Sequence, residues 1–202
     1  YVCNVPDYCV DEVSDHALAM MLSLARRLPV LDKNVKNGHW DFRPFRPFFR
    51  IKGRTLGVLG LGRIARALCI KAESLGLNLI AYDPYVEEHM LANLKIRLVS
   101  FDQLLEESDF LSIHCPLTPE TQGIIGRNAF PKMKPHAILI NVARGGVVDE
   151  ESLVEALQTG QIGGAGLDVL SKEPIPKDHP LLQFDNVILT PHSAFYSEES
   201  TA

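Results

Sequence analysis

Residues 55–65 read Thr55-Leu56-Gly57-Val58-Leu59-Gly60-Leu61-Gly62-Arg63-Ile64-Ala65. A strand-like run ends on a GxGxxA turn, and helical spacing follows to Leu75, with Gly76 as the expected C-cap. A second short apolar run, Leu77 to Tyr82, closes on Asp83. From Thr55 to Asp83 is 29 residues, the length of one strand–helix–strand crossover. Each small residue has a physical reason. Gly60 permits the sharp turn out of the strand. Gly62 has no side chain, so a pyrophosphate can approach the backbone, and Ala65 lets the helix lie close to the sheet. The N–H groups of the first helical turn then face the phosphates, beginning at Arg63 and Ile64. Asp83, 21 residues after Gly62, can accept from both hydroxyls of an adenosine ribose and repels a 2′-phosphate. That combination selects NAD over NADP.

Downstream, strand-like runs recur at Lys95–Leu98, Phe110–His114, Ala137–Asn141, Gly163–Leu167 and Val187–Leu189. Helices lie between them, including Glu150 to Thr159 with Asp149 as N-cap and Gly160 at its end. Alternating strands and helices mean an α/β, doubly wound parallel sheet, the Rossmann fold, whose ligands bind beyond the carboxyl ends of the strands. Upstream, a short strand is expected at Tyr1–Asn4, broken by Pro6 and Asp7. A long helix is expected from Asp11 to Leu28. Val13, Ala17, Met20, Met21 and Leu24 share one face, and Leu18, Leu22 and Ala25 form a second apolar stripe. A helix apolar on two sides needs cover on two sides. Residues 40–49 interleave Trp40, Phe42, Phe45, Phe48 and Phe49 with Arg43, Arg46, Pro44 and Pro47. They read as an extended arm whose rings pack on a partner subunit, in preference to a stacking surface for nucleic acid.

Composition narrows the classes. The 202 residues are 46% apolar and 22% charged, which excludes collagen-like, disordered and disulfide-scaffold chains. Twenty Lys+Arg against 25 Asp+Glu leave a net charge of −5, the wrong sign for holding a nucleic-acid backbone. The most apolar helical stretch, Ala17 to Ala25, is interrupted by Ser23 and too short to span a membrane. Cys3, Cys9, Cys69 and Cys115 form no CxxC pair and no zinc spacing, so no metal is expected, and scattered thiols point to the cytoplasm. The chain starts at Tyr1, not Met, and stops in what reads as the first turn of a helix, so it is read as an excerpt of a longer protein.

Three residues follow strand ends in the second half: Arg144 in Asn141-Val142-Ala143-Arg144, Glu173 in Lys172-Glu173-Pro174, and His192 in Thr190-Pro191-His192. Singly, each has a bland reading as a surface charge, a loop residue or a structural histidine. His16, His39, His89, His136 and His179 are read that way, as is His114 at the cofactor edge. As a set beside a dinucleotide fold, an Arg, a Glu and a His supply an anion clamp, an orienter and a proton carrier.

These motifs together resemble the D-isomer-specific 2-hydroxyacid dehydrogenases over essentially the whole chain. The resemblance rests on Gly60–Ala65, Tyr82-Asp83-Pro84, His114-Cys115-Pro116-Leu117-Thr118-Pro119-Glu120-Thr121, NVARGGVVDE at 141–150, GAGLDV at 164–169, Glu173-Pro174 and LTPHSA at 189–194. It implies catalytic roles for Arg144, Glu173 and His192. It also implies NAD contacts at Gly60, Gly62, Arg63, Ile64, Asp83, along Cys115, Pro116 and onward to Thr121, and at Val142, Ala143, Arg144, Asp168, His192, Ser193 and Ala194. The expected reaction passes a hydride between NAD(H) and a 2-keto acid/D-2-hydroxy acid pair. His192 is the general acid and base, Glu173 fixes its tautomer and favours its cation, and Arg144 clamps the substrate carboxylate. Asp168 is expected to hold the nicotinamide end of the cofactor.

Two departures from the family pattern stand out. Ala65 replaces the third glycine, and most of the family's substrate domain is missing. Residues 1–193 are therefore read as the NAD-binding domain, with a dimerisation helix and arm at about 11–52, and 194–202 as the start of a return segment toward the substrate domain. A homodimer is implied. Phe195-Tyr196-Ser197-Glu198 is similar to the C-terminal-binding-protein branch, which makes an NAD-sensing, protein-binding module one alternative. Phosphite oxidation on the same scaffold is another; formate oxidation is disfavoured by Glu173.

Overall fold

The computed structural model describes residues 8–91 and 94–201; the strand expected at Tyr1–Asn4 lies outside them. Seven strands form one parallel sheet: β1 (Thr55–Leu59), β2 (Asn78–Tyr82), β3 (Ile96–Leu98), β4 (Phe110–Ile113), β5 (Ile138–Asn141), β6 (Gly164–Leu167) and β7 (Val187–Leu189). Their spatial order is β3-β2-β1-β4-β5-β6-β7. The chain therefore runs outward from β1 in one direction, returns, and continues from β4 in the other. The crevice between β1 and β4 is the switch point at which such sheets bind ligands.

The strands form here because both faces are covered. β4, β5 and β6 are buried along their whole length, as continuous apolar runs in parallel sheets must be. One face packs under α1 (Val10–Ala25), where α2 (Leu28–Lys36) follows in the chain, and under α3 (Arg63–Glu73), in a cluster containing Met21, Leu56, Leu68 and Ile140. The other packs under α4 (Phe101–Glu107) and α5 (Glu150–Gln158), around Leu104, Leu111, Phe130, Leu139 and Leu153. A final short turn, α6 (Glu198–Thr201), follows β7.

Register places the site. Leu59 pairs with Ile113, Ile113 with Asn141, Asn141 with Leu167 and Leu167 with Leu189. The five strands therefore end on one line. Gly60, His114, Val142, Asp168 and Thr190 are the first residues past it, and every candidate site residue follows one of those ends or that of β2.

Three expectations are corrected. The helix expected to run from Asp11 to Leu28 stops at Ala25. Arg27 takes a left-handed conformation (φ 53°), and a second, nine-residue helix, α2, starts at Leu28. Pro29 explains the break: without an N–H it cannot continue a helix, but it fits the first turn of a new one. Asp149 occupies the N-cap position of α5 without capping it; its carboxylate accepts from the Ser152 hydroxyl instead. The arm is not wholly extended. Arg43–Phe45 form one 3-10 turn, and Phe49 then lies beside His136, ring centroids 5.2 Å apart and tilted by 43°. Trp40 remains 90% exposed.

Candidate active site

The glycine turn is built as its residue types demand. Gly60 has φ +86°, and a Cβ there would lie 2.8 Å from the Cys115 nitrogen and 2.9 Å from its Cα. Both the positive φ and the close approach of the β4 exit forbid a side chain. The Gly60 N–H donates to the Tyr82 carbonyl (2.9 Å), which holds the turn against the end of β2. Gly62 precedes α3 with no side-chain cap, and a Cβ on it would meet nothing within 4 Å. The turn thus opens onto free space in front of an uncapped helix N-terminus, which suits an anion approaching the backbone. Arg63 is exposed and Ile64 half-buried at the mouth, while Ala65 is fully buried against the sheet. Asp83 accepts from the Leu61 N–H (2.8 Å) on one oxygen and from the Tyr85 N–H (2.9 Å) on the other. It ties the glycine turn to β2, and each carboxylate oxygen keeps lone pairs for further donors. Glycines, open space and carboxylate all fit a dinucleotide.

The opposite lip is the segment after β4. Cys115 is buried, and burial, with the charge of nearby Asp83 adding to it, pushes its thiol up to about 11. It is a neutral wall of the crevice. The Thr121 hydroxyl donates to the Pro116 carbonyl (2.7 Å) and accepts from the Thr118 N–H (2.8 Å). Expected as a cofactor contact, Thr121 is committed to shaping the lip. His114 lies 2.8 Å from the Ser112 hydroxyl, and burial pushes its pKa down to about 4, so it is a neutral structural ring.

Past β5, the buried Asn141 side chain brackets the turn. It accepts from the Ala143 N–H (3.1 Å) and donates to the Arg144 carbonyl (3.0 Å). Val142 is buried, Ala143 half-buried and Arg144 exposed, with Nη1 of Arg144 on the Ala143 carbonyl (2.6 Å). A Cβ on Gly145 would lie 2.0 Å from the Leu170 carbonyl carbon. The Arg144 turn is thereby wedged against the segment that leads into Glu173.

His192 and Glu173 meet directly, Nδ1 to Oε2 at 2.8 Å. A carboxylate only accepts, so Nδ1 carries the proton and Nε2 is left facing outward, with no hydrogen-bond partner among the described residues. The other Glu173 oxygen accepts from the Leu170 N–H (2.9 Å). Burial alone would raise the Glu173 carboxyl, but the Leu170 N–H and His192 outweigh it and hold it below its ordinary value. Asp168, 2% exposed, turns inward. It accepts from the Thr190 hydroxyl (2.6 Å), the Ser193 N–H (2.9 Å) and the Ala194 N–H (3.0 Å), while its own carbonyl accepts from the His192 N–H (2.9 Å). It is the staple that holds the His192 loop, and a nicotinamide contact has to share an oxygen that is already in use.

Of the catalytic candidates, the structure joins His192 to Glu173 and packs the Arg144 turn on Leu170; no bond links Arg144 itself to the pair among the described residues. Sequence reading missed Asn141 as a bracket and His16 as a support. His16 Nε2 lies 2.9 Å from the Thr190 hydroxyl, whose proton is given to Asp168, so His16 is the donor. Its signal was a histidine beside the buried stripe of α1.

Comparison with known proteins identifies the family that shares this fold. The family model described as the D-isomer specific 2-hydroxyacid dehydrogenase, NAD binding domain, matches residues 18–194. D-3-phosphoglycerate dehydrogenase of Archaeoglobus fulgidus is 42% identical over 199 residues, covering 98% of this chain and 38% of that protein. Glyoxylate reductase of Korarchaeum cryptofilum is 42% identical over 203 residues, covering 99% of this chain and 61% of that protein. The crystal structure of D-lactate dehydrogenase with NAD+ from Lactobacillus jensenii superposes with a TM-score of 0.90 at 33% identity, over 98% of this chain and 63% of the other. The chain therefore spans between about two fifths and two thirds of the length of these relatives. No helix among the described residues is long and apolar enough to cross a membrane.

Proposed function

This chain belongs to the D-isomer-specific 2-hydroxyacid dehydrogenases and has the fold of their NAD-binding domain. From that premise we propose that it carries the cofactor crevice and the acid–base pair of an enzyme that interconverts a 2-keto acid and a D-2-hydroxy acid. One observation carries the reading: His192 is hydrogen-bonded through Nδ1 to Glu173 at 2.8 Å, with Nε2 turned outward past the end of β7, on the same edge of the sheet as the glycine turn. NAD, when bound, supplies or receives the hydride. Gly60, Gly62, Arg63 and Ile64 take its pyrophosphate, Asp83 its adenosine ribose, and Cys115, Pro116, Val142, Ala143 and Ala194 wall the crevice. His192 donates its Nε2 proton to the substrate carbonyl oxygen in reduction and removes it in oxidation. Glu173 holds the ring in the tautomer that leaves Nε2 to do this. The exposed Arg144 guanidinium binds the substrate carboxylate as a bidentate fork.

The test is coupled NADH oxidation by the full-length protein against glyoxylate, pyruvate and a phosphorylated hydroxypyruvate, with phosphite-driven NAD+ reduction alongside. Turnover of any keto acid supports the reading. NAD-driven dimerisation with no turnover replaces it by a protein-binding module, and turnover of phosphite alone replaces it by phosphite oxidation.

The proposal includes a homodimer. Trp40 is 90% exposed and Phe42 54%, and the second stripe of α1 (Leu18, Leu22, Ala25) is only half covered within one chain, so an apolar face awaits cover. Light scattering at micromolar concentration checks it, and a monomer mass rejects it. Unbridged Cys9, Cys69 and Cys115 support a reducing, cytoplasmic setting.

A further inference from the structure

Glu173 reaches His192 from a loop with few regular bonds of its own, so something else fixes where that loop stands. Among the described residues one carboxylate bonds to both ends of it. Glu150, the first residue of α5, accepts from the Ser171 N–H through Oε1 (2.5 Å) and meets His179 Nε2 through Oε2 (3.2 Å). The tautomer of His179 is settled by its neighbours. The Leu181 N–H donates to Nδ1 (3.3 Å), so Nε2 carries the proton and donates to Glu150. Both side chains are largely shielded, at 17% and 16% exposure, and a carboxylate at a helix N-terminus is favoured by the helix dipole. Residues 171 and 179, the two feet of the loop, are thus drawn to one anchor, with Glu173 between them.

We propose that Glu150 is a positioning residue for the His192–Glu173 pair: by clamping both feet of the 171–179 loop it sets where the Glu173 carboxylate meets the His192 ring. The inference rests on the reading of that pair given above. Glu150 itself touches neither member. It acts through Ser171, which follows Leu170, the donor to Glu173. Gly145 presses on the same Leu170–Ser171 peptide, so the clamp also fixes the platform on which the Arg144 turn rests.

The test follows the titration of His192 by NMR in the 15N-histidine-labelled chain, assigned with a His192→Asn variant. The acidic groups beside the ring are Glu173 and, behind the loop, Asp168, itself 3.6 Å from His16. Glu173→Gln removes the negative partner and should move the midpoint down. Glu150→Ala should move it the same way by about half a unit or more, and in the Glu173→Gln background it should add nothing, because the effect runs through Glu173. In the full-length enzyme the same variant should lower kcat about tenfold with the KM for NADH unchanged. Should Glu150→Ala not fold, Glu150→Gln and His179→Asn each open one arm of the clamp and should give part of the shift. A midpoint equal to wild type in the Glu150 variants, while Glu173→Gln moves, overturns the clamp. An unmoved midpoint in Glu173→Gln overturns the pair itself, and the clamp with it.

Discussion

The two edges of the sheet each hold a histidine against a carboxylate, and the two pairs are built for opposite ends. At the amino edge His136 Nε2 lies 2.9 Å from Asp109, whose carboxylate also takes Arg54 Nη1 (2.6 Å), the Thr55 N–H (2.9 Å) and Lys134 Nζ (3.3 Å). Arg54 lies over the Phe49 ring at 4.4 Å, and the same ring meets His136 at a tilt of 43°. Four donors, drawn from the starts of β1 and β5, thus meet on one carboxylate just before β4, under an aromatic lid, with 9% of the Asp109 side chain exposed. At the carboxyl edge, Glu173 has one backbone donor and one imidazole, and the pair is 39% and 45% exposed. The nitrogen of His192 that Glu173 does not use has no hydrogen-bond partner among the described residues. A His–carboxylate contact is therefore a knot where other donors surround the carboxylate, and a tool where they do not.

That contrast can be broken by substitution. The largest effect is expected from His192→Ala, which should lower kcat by about 10²-fold or more while lowering unfolding free energy by no more than about 1–2 kcal/mol, the cost of alanine in the left-handed conformation at 192. Steady-state kinetics and urea denaturation measure the two halves, and unchanged turnover would remove His192 from the chemistry. Asp109→Ala should reverse the pattern. Two cations, Arg54 and Lys134, and the His136 ring would lose a shared buried partner, so stability should fall by about 3–5 kcal/mol, read from the denaturation midpoint, with the folded fraction still binding NAD. The pH dependence has a definite sign. Burial would raise the Asp109 carboxyl, but the Thr55 N–H, His136 and Lys134 hold it below its ordinary 3.8. Its contribution is therefore complete above about pH 4 and disappears as pH falls through the depressed folded value; the Asp109 variant should lack this acid-sensitive part of the stability profile.

Smaller effects sharpen the carboxyl edge. Asp83→Ala removes the charge facing a 2′-phosphate and one tie on the glycine turn. It should weaken NAD and narrow its advantage over NADP roughly tenfold in fluorescence titrations, and an unaltered ratio speaks against the ribose assignment. Glu173→Gln should shift the pH optimum of hydroxy-acid oxidation downward, since the ring that must be neutral loses the anion that favours its cation. A pH–rate profile superimposable on wild type would demote Glu173 to a loop residue.

The strands were legible as apolar runs. β1 and β7 were read to the residue, and β2 to β6 each lost one terminal residue. β4, β5 and β6 are apolar because both faces are covered, whereas β7 is only half-buried along its length and showed itself by its residue types alone. The glycine turn was legible because its glycines answer to a local need: Gly60 takes a φ of +86° with Cys115 pressed against it, and Gly62 leaves open space before the helix N-terminus. α2 was not, because none of its residues is buried and its one marker, Pro29, reads equally as a stop. Within the site, residue types were legible and their directions were not. Asp168 stands at the expected strand end and Thr121 in the segment after β4, yet each spends its oxygen on its own loop, and nothing in their spacing tells an outward carboxylate or hydroxyl from an inward one. His16, 174 residues from Thr190, could be found only once the fold had closed that distance.

One backbone angle has a practical bearing. His192 sits at φ 53°, a conformation that asparagine shares readily and alanine resists. Removing the imidazole with alanine therefore deletes the proposed proton carrier and invites the chain to relax as well. Asparagine keeps the chain's hand and deletes only the carrier. The gap between the two variants would measure how much of the activity resides in the shape of the peptide and how much in the ring it holds out.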